Sequence, residues 1–292
     1  MQSLPKFHGV APALVTPMNE DRSINWDGLK KLIQHVSNGG VDYLVVQGTT
    51  GESPALSKSE KLEVLKTVQE VNNGRVKIVF GVGGNNTLEV GSFLKELPAG
   101  IDGVLSVSPY YNKPSQKGII EHFKYLSGCT NLPIILYNVP GRTGSNILAE
   151  TTLTLAEIPN IVAIKEAKGD IVQAMELIGK APEDFLVISG DDMIALPMTL
   201  AGGAGVISVI AQGFPRAFSD MIHLALQRKV DKAYAIHYKI APAIDYIFEQ
   251  GNPAGIKAVF AALNLCEPTL RLPLVEVDAV LNAKIKTFVH AF

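Results

Sequence analysis

Short apolar runs recur along the chain, each followed by a polar turn or a stretch of helical periodicity. The runs are VAPALVT (10–16), YLVVQ (43–47), VKIVFGV (76–82), DGVLSVS (102–108), PIILYNV (133–139), IVAIKEA (161–167), FLVISG (185–190) and AGVISV (204–209). All eight are apolar nearly throughout rather than alternating, as strands covered on both faces of a parallel sheet should be. Between them, Leu29, Leu32, Ile33 and Val36 keep a 3.6-residue period up to a natural stop at Gly39. Ser57 and Glu60 have capping-box spacing at the head of a second helix that ends at Gly74. Further helical patterns cover 116–127, 146–157, 170–180 and 193–201. The alternation predicts an α/β fold, a (β/α)8 TIM barrel over residues 1–224, with a C-terminal helical region over 225–292 packed on it. A doubly wound open sheet would want a glycine fingerprint after the first strand. VTPMNEDRS is not one, and GVGGNN (81–86) reads as a turn at a strand end.

Composition narrows the function classes. The chain has 292 residues, 47% of them hydrophobic and 18% charged, enough for a sizeable core. A formal charge of -2 and the absence of any run of like charges point away from nucleic acid and from an anionic membrane surface. Cys129 and Cys266 lie far apart, which argues against a disulfide framework or a thiolate metal cluster. The six histidines are scattered without ligand spacing, so no metal is expected. MQSLPKFHGV has no apolar leader core, and no run of about 18 apolar residues occurs, so the expected compartment is the cytoplasm.

In a barrel, chemistry belongs at the carboxyl ends of the strands. Those ends read Gln47-Gly48-Thr49-Thr50-Gly51-Glu52, Gly84-Asn85-Asn86, Ser108-Pro109-Tyr110-Tyr111-Asn112, Tyr137-Asn138, Lys165-Glu166, Ser189-Gly190-Asp191-Asp192 and Ser208. Lys165 stands out because an ammonium within an apolar strand is costly unless it is paired or loses its proton. Lysine attacks carbonyls as the neutral amine, which burial favours, and Ala163 on the same side of the strand leaves room for an adduct. The functional reading is a Schiff-base lysine; the bland one is an ion pair with Glu166 or another carboxylate. Tyr137, ending the preceding strand, suits a proton shuttle or a rim residue capping the core. Thr49 and Thr50 suit a substrate carboxylate or simple turn chemistry. Arg142 suits a second carboxylate or an exposed surface position. Asp191 and Asp192 suit substrate hydroxyls or a cap for the helix near Met193. Together these residues point to a metal-independent class I lyase or aldolase acting on a 2-oxo acid.

The motifs GTTGES (48–53), SPYYNKPSQKG (108–118), LYNVPGRTG (136–144), IKEAKGD (164–170) and SGDD (189–192) occur in that order. In this the chain resembles the dihydrodipicolinate synthase/N-acetylneuraminate lyase family of pyruvate-dependent aldolases over nearly its whole length. GTTGES and the arginine of YNVPGRTG are similar to the synthase branch. The resemblance implies that Lys165 condenses with pyruvate, with Tyr137, Thr49 and Tyr111 as a proton relay. Thr49 and Thr50 would hold the pyruvate carboxylate, and Arg142, with the Gly190 backbone nearby, the carboxylate of L-aspartate-4-semialdehyde. Ile207 matches the residue whose backbone carbonyl lies near the imine. No cofactor is implied beyond the covalent substrate. Because the family's second relay tyrosine comes from a neighbouring subunit, Tyr111 implies a homodimer or homotetramer.

The resemblance also implies a lysine effector site at Ser53, Asn85, Glu89 and Tyr110. Lys58 and Lys61 replace the histidines of lysine-sensitive members, so weak or absent feedback is expected from like-charge repulsion. Within the family the alternatives are a sialic-acid or 2-keto-3-deoxy sugar acid lyase. Arg142 favours a short substrate with its own carboxylate. Outside it the alternative is a non-catalytic barrel that binds an oxo acid. At Gln212, in VIAQGFP, the resemblance implies a smaller or different polar residue near the pocket.

Overall fold

The computed structural model describes residues 7–292; the first six residues of the N-terminal segment and of the predicted barrel region lie outside it. Eight strands form where the apolar runs predict them: β1 (Gly9–Pro12), β2 (Tyr43–Val46), β3 (Lys77–Gly81), β4 (Gly103–Val107), β5 (Ile134–Asn138), β6 (Ile161–Glu166), β7 (Leu186–Ser189) and β8 (Gly205–Ser208). They pair in parallel in the order β1-β8-β7-β6-β5-β4-β3-β2. The ring closes between β1 and β2, where Asp42 N donates to Val10 O at 2.8 Å and Leu14 N to Val45 O at 2.9 Å. Gln212 stitches the neighbouring seam: its amide donates to Ala13 O (2.9 Å) and accepts from Val15 N (3.0 Å). Its buried amide is therefore satisfied at both ends by backbone, and its part is structural.

Alternation along each strand divides the apolar residues into two layers. Phe7, Ala11, Ala13, Tyr43, Val45, Val79, Leu105, Ile135, Ala163, Ile188 and Ile207 fill the barrel. Val10, Leu44, Val46, Phe80, Val104, Ile134, Ile164 and Val206 face outward under the helices. The covering helices are α1 (Trp26–Asn38), α2 (Lys58–Asn72), α3 (Thr87–Lys95), α4 (Gln116–Ser127), the one-turn α5 (Pro140–Thr143), α6 (Ala149–Ala156), α7 (Ile171–Lys180), α8 (Ala195–Leu200) and α9 (Pro215–Leu226). The C-terminal helices α10 (Val230–Glu249), α11 (Ala254–Ala262) and α12 (Ala279–Ala291) follow.

The capping signals act as read: Ser57 and Glu60 form a reciprocal capping box on α2, and Gly39 ends α1. Helix α3 is absent from the sequence reading. Its apolar stripe is short and interrupted by Gly91, where a Cβ would come within 2.6 Å of the Tyr125 ring and 2.9 Å of Cys129 Sγ. Close packing of α3 on α4 thus explains the residue that blurred the helical pattern. Asp191, rather than Asp192, supplies the cap near α8, accepting from Met193 N at 2.9 Å. Asp192 is buried and accepts from Val209 N (3.0 Å) and Ile210 N (2.8 Å), tying β7 to the turn after β8.

Candidate active site

Lys165 and Glu166 are neighbours in sequence but leave β6 on opposite faces. Lys165 shares the inner face with Ala163, while Glu166 follows Ile164 outward. The Glu166 carboxylate is held by Asn138 Nδ2 (2.9 and 3.0 Å), Gln173 Nε2 (2.9 Å) and Lys168 N (2.8 Å). Burial nevertheless raises its pKa. The bland reading of Lys165 as the partner of Glu166 therefore fails on geometry. Lys165 is 5% exposed and makes no ion pair or hydrogen bond with a described residue. Its Nζ lies 4.5 Å from the centre of the Tyr137 ring.

A local irregularity brings this pair face to face. The β5–β6 register runs Ile134–Ile161 and then Ile135–Ala163, skipping Val162, which puts Tyr137 directly opposite Lys165. Gly190, after β7, clears the space on the other side. A Cβ there would lie 2.8 Å from Lys165 Cε, 2.9 Å from its Cγ and 2.6 Å from Ala167 Cβ. Ile207 sits on the inner face of β8, fully buried and in register with Ala11.

The loop after β2 supplies the hydroxyls. Thr49–Gly51 is a single 3₁₀ turn, bracketed by two non-glycine residues in the left-handed region, Gln47 (φ 61°) and Glu52 (φ 55°). The C-terminal region holds this loop. Asn252 Nδ2 donates to Thr50 Oγ1 at 2.9 Å, and Arg142 Nη2 donates to Asn252 O at 3.3 Å. Lys257, from α11, ion-pairs with Glu52, both side chains fully buried, and also donates to Thr269 O at 2.8 Å. Arg271 N donates to the other Glu52 oxygen at 2.9 Å, and its guanidinium grips Glu60 at 2.6 and 2.9 Å. The Arg271 hydrogen bond is the main reason the Glu60 carboxyl is held down at about 2.

A cavity of about 330 Å³ opens at the strand ends beside these groups. Thr49, Tyr137, Arg142, Ser53 and Tyr110 share its wall with Gln47 and Lys61. Lys165, which meets this wall through Tyr137, stands outside that lining with Thr50, Gly190 and Ile207, and so does Tyr111, which is 87% exposed with a left-handed backbone (φ 74°). Asn85 Nδ2 donates to Tyr110 O at 3.2 Å, and Glu89 stands in the first turn of α3. Lys58 forms an ion pair with Glu96. Lys61 is half-buried, which lowers its pKa. Asn252, Lys257 and Arg271 have no counterpart among the predicted site residues, and Glu52 is there only as a strand-end residue without a role. The one signal for them was Lys257, a lone charge in the apolar helix AGIKAVFAA.

Among the described residues no group of three or more His, Cys, Asp or Glu side chains is placed to hold a metal ion, and no helix is long and apolar enough to cross a membrane. A closed parallel barrel with an unpaired strand-end lysine against a tyrosine has the design of a barrel enzyme that works through an amine. The chain belongs to the dihydrodipicolinate synthetase family, whose model it matches over residues 6–292. It is 56% identical over 284 residues to a 4-hydroxy-tetrahydrodipicolinate synthase of Flavobacterium psychrophilum, covering 97% of each chain. Among solved structures, it matches a chloride-inhibited dihydrodipicolinate synthase from Acinetobacter baumannii complexed with pyruvate, at a TM-score of 0.94 and 37% identity, with 98% of each chain covered. A dihydrodipicolinate synthase from Cyanidioschyzon merolae with lysine bound matches at 0.93 and 35%, with 98% of each chain covered.

Proposed function

We infer that this chain is a class I lyase that condenses pyruvate with L-aspartate-4-semialdehyde to give 4-hydroxy-tetrahydrodipicolinate, a step of lysine and diaminopimelate biosynthesis. The observation that carries the chemistry is the Lys165 amine, buried, unpaired and facing Tyr137. It attacks the pyruvate carbonyl, and water leaves as the imine forms. The protonated imine withdraws electrons, so a methyl proton is lost and an enamine results. The enamine carbon adds to the aldehyde, whose oxygen takes up a proton. The amino group of the adduct then closes the ring and expels Lys165. The imine is its own electron sink, so no metal or organic cofactor enters this scheme.

Tyr137 is read as the group that moves protons at the imine nitrogen, linked to Thr49. Thr49 and Thr50 are read as holding the pyruvate carboxylate, and Arg142 as holding that of the semialdehyde, since the Arg142 fork faces the same cavity. Tyr111, almost fully exposed, supports the reading that it completes the relay of a neighbouring subunit in a homodimer or homotetramer. Ser53, Asn85, Glu89 and Tyr110 are read as a lysine effector site. Its expected weak response now rests mainly on Lys61, since Lys58 is paired with Glu96. A lysine titration giving micromolar inhibition overturns that expectation.

The test is a coupled assay with both substrates and excess dihydrodipicolinate reductase, following NADPH loss for wild type and Lys165→Ala. Turnover that vanishes in the variant supports the reading. No turnover, with pyruvate still trapped on the wild type by borohydride, moves the second substrate to the sugar-acid branch.

A further inference from the structure

Among the described residues of this cavity wall, Gln47 is the buried polar side chain that has neither a partner nor a part in the scheme above. It is 3% exposed, and neither its amide nitrogen nor its amide oxygen has a partner. Burying an unpaired carboxamide is costly, and Gln212 shows that this fold can engage a buried glutamine at both ends when the role is structural. The Gln47 backbone is left-handed as well. Gly81 makes room for it, since a Cβ at Gly81 would fall 2.2 Å from the Gln47 carbonyl oxygen. Strain and an unsatisfied buried group thus coincide at one point of a wall shared with Thr49, Tyr137 and Arg142.

The rest of the lining says which ligand group fits. It contains Arg142 and Lys61 but no Asp or Glu, so an ammonium entering the cavity finds neutral acceptors only. Pyruvate carries no ammonium; the second substrate carries one beside its carboxylate. A carboxamide oxygen can orient that amine without favouring its protonated form as a carboxylate would, and ring closure requires the free amine. We propose that Gln47 is a binding residue for the second substrate, its carboxamide oxygen accepting from the α-amino group of a 2-amino-4-oxo acid whose carboxylate Arg142 holds. The assignment rests on the reaction inferred above.

The experiment compares wild type with Gln47→Met, which keeps the volume and removes the hydrogen bonds. The KM for the semialdehyde should rise about tenfold, the loss of one hydrogen bond to a charged or strongly polar group. The KM for pyruvate and the yield of borohydride-trapped pyruvate should stay within twofold. Competitive inhibition by succinic semialdehyde, the same chain without the amino group, should be unchanged. A variant with wild-type KM values and a higher Tm overturns the proposal, because the amide is then only a buried unpaired group. So does a variant in which both KM values rise and trapping falls. In either case a wild type that turns over leaves the inferred reaction standing; a wild type without turnover overturns both.

Discussion

Three neighbours that contribute almost nothing but shape set the position of the Lys165 amine. Ala163 keeps the inner face beneath it small, the skipped Val162 puts Tyr137 opposite, and Gly190 leaves the volume its methylenes occupy. Gly190→Ala should therefore act on the lysine. With Cβ 2.8–2.9 Å from Lys165 Cε and Cγ, the amine must swing off the Tyr137 ring. We expect turnover to fall by about 10²-fold, as for a displacement of roughly 1 Å in a positioned group. Borohydride trapping of pyruvate should slow while far-UV circular dichroism stays native. Tyr137→Phe separates shape from proton transfer. It keeps the ring against Nζ and removes the hydroxyl, so turnover should drop by about 10²-fold or more, the usual weight of general acid–base catalysis. Pyruvate should still be trapped on the variant, though more slowly. A kcat within a factor of three of wild type would overturn the proposed proton-transfer role of Tyr137.

At the scale of elements, the same sequence signal has two different outcomes. A lysine in an apolar run occurs at Lys165 in β6 and again at Lys257 in α11. The first projects into the barrel without a partner; the second meets Glu52, which lies 205 residues away in sequence. Sequence spacing cannot foresee that meeting, because it depends on how the C-terminal helices dock over the β2–α2 loop. The strands were legible because burial on both faces writes itself into the composition of each run. The clamp on the loop was not, because its parts are single polar residues (Asn252, Lys257 and Arg271) whose partners are set by tertiary packing.

The clamp can be tested by charge removal. Lys257→Met strands the Glu52 carboxylate in a fully buried position. Breaking one side of a buried pair costs about 3–5 kcal/mol, whereas replacing both partners by apolar groups is often nearly neutral. Urea denaturation should thus show a large loss for Lys257→Met and a smaller one for the Glu52→Leu, Lys257→Met double variant. Equal losses in the two would mean that the pair does not act as a unit. Since Thr50 and Asn252 belong to the same docking, the single variant should also raise the KM for pyruvate.

For the whole molecule, two buried groups on different sides of the barrel set opposing demands on pH. Asp192 is surrounded by protein, and burial pushes its carboxyl up to about 6 from 3.8. Its folded pKa is raised, so the stability it contributes is fully present below about 4 and is lost as pH climbs through 6. His122 accepts from or donates to Thr87 at one ring nitrogen (2.9 Å), and its other is unpartnered; burial pulls it down to about 4 from 6.5. A depressed base works the other way: its contribution is present above 6.5 and is lost as pH falls through 4. Between pH 4 and 6 the two slopes nearly cancel, each being close to one proton per molecule. Removing either should expose the other. In Asp192→Asn the stability measured relative to wild type should improve steadily from pH 4 to 6, by about 2 kcal/mol in total, the slope staying below the limit of about 1.36 kcal/mol per unit. In His122→Gln the relative stability should decline over the same interval by a similar amount. The offset of each curve reports lost contacts and is free to take any value; the slope reports titration alone. Parallel curves for wild type and Asp192→Asn would mean that this carboxyl keeps its ordinary pKa when buried, and that the backbone N–H groups of Val209 and Ile210 offset its desolvation in full.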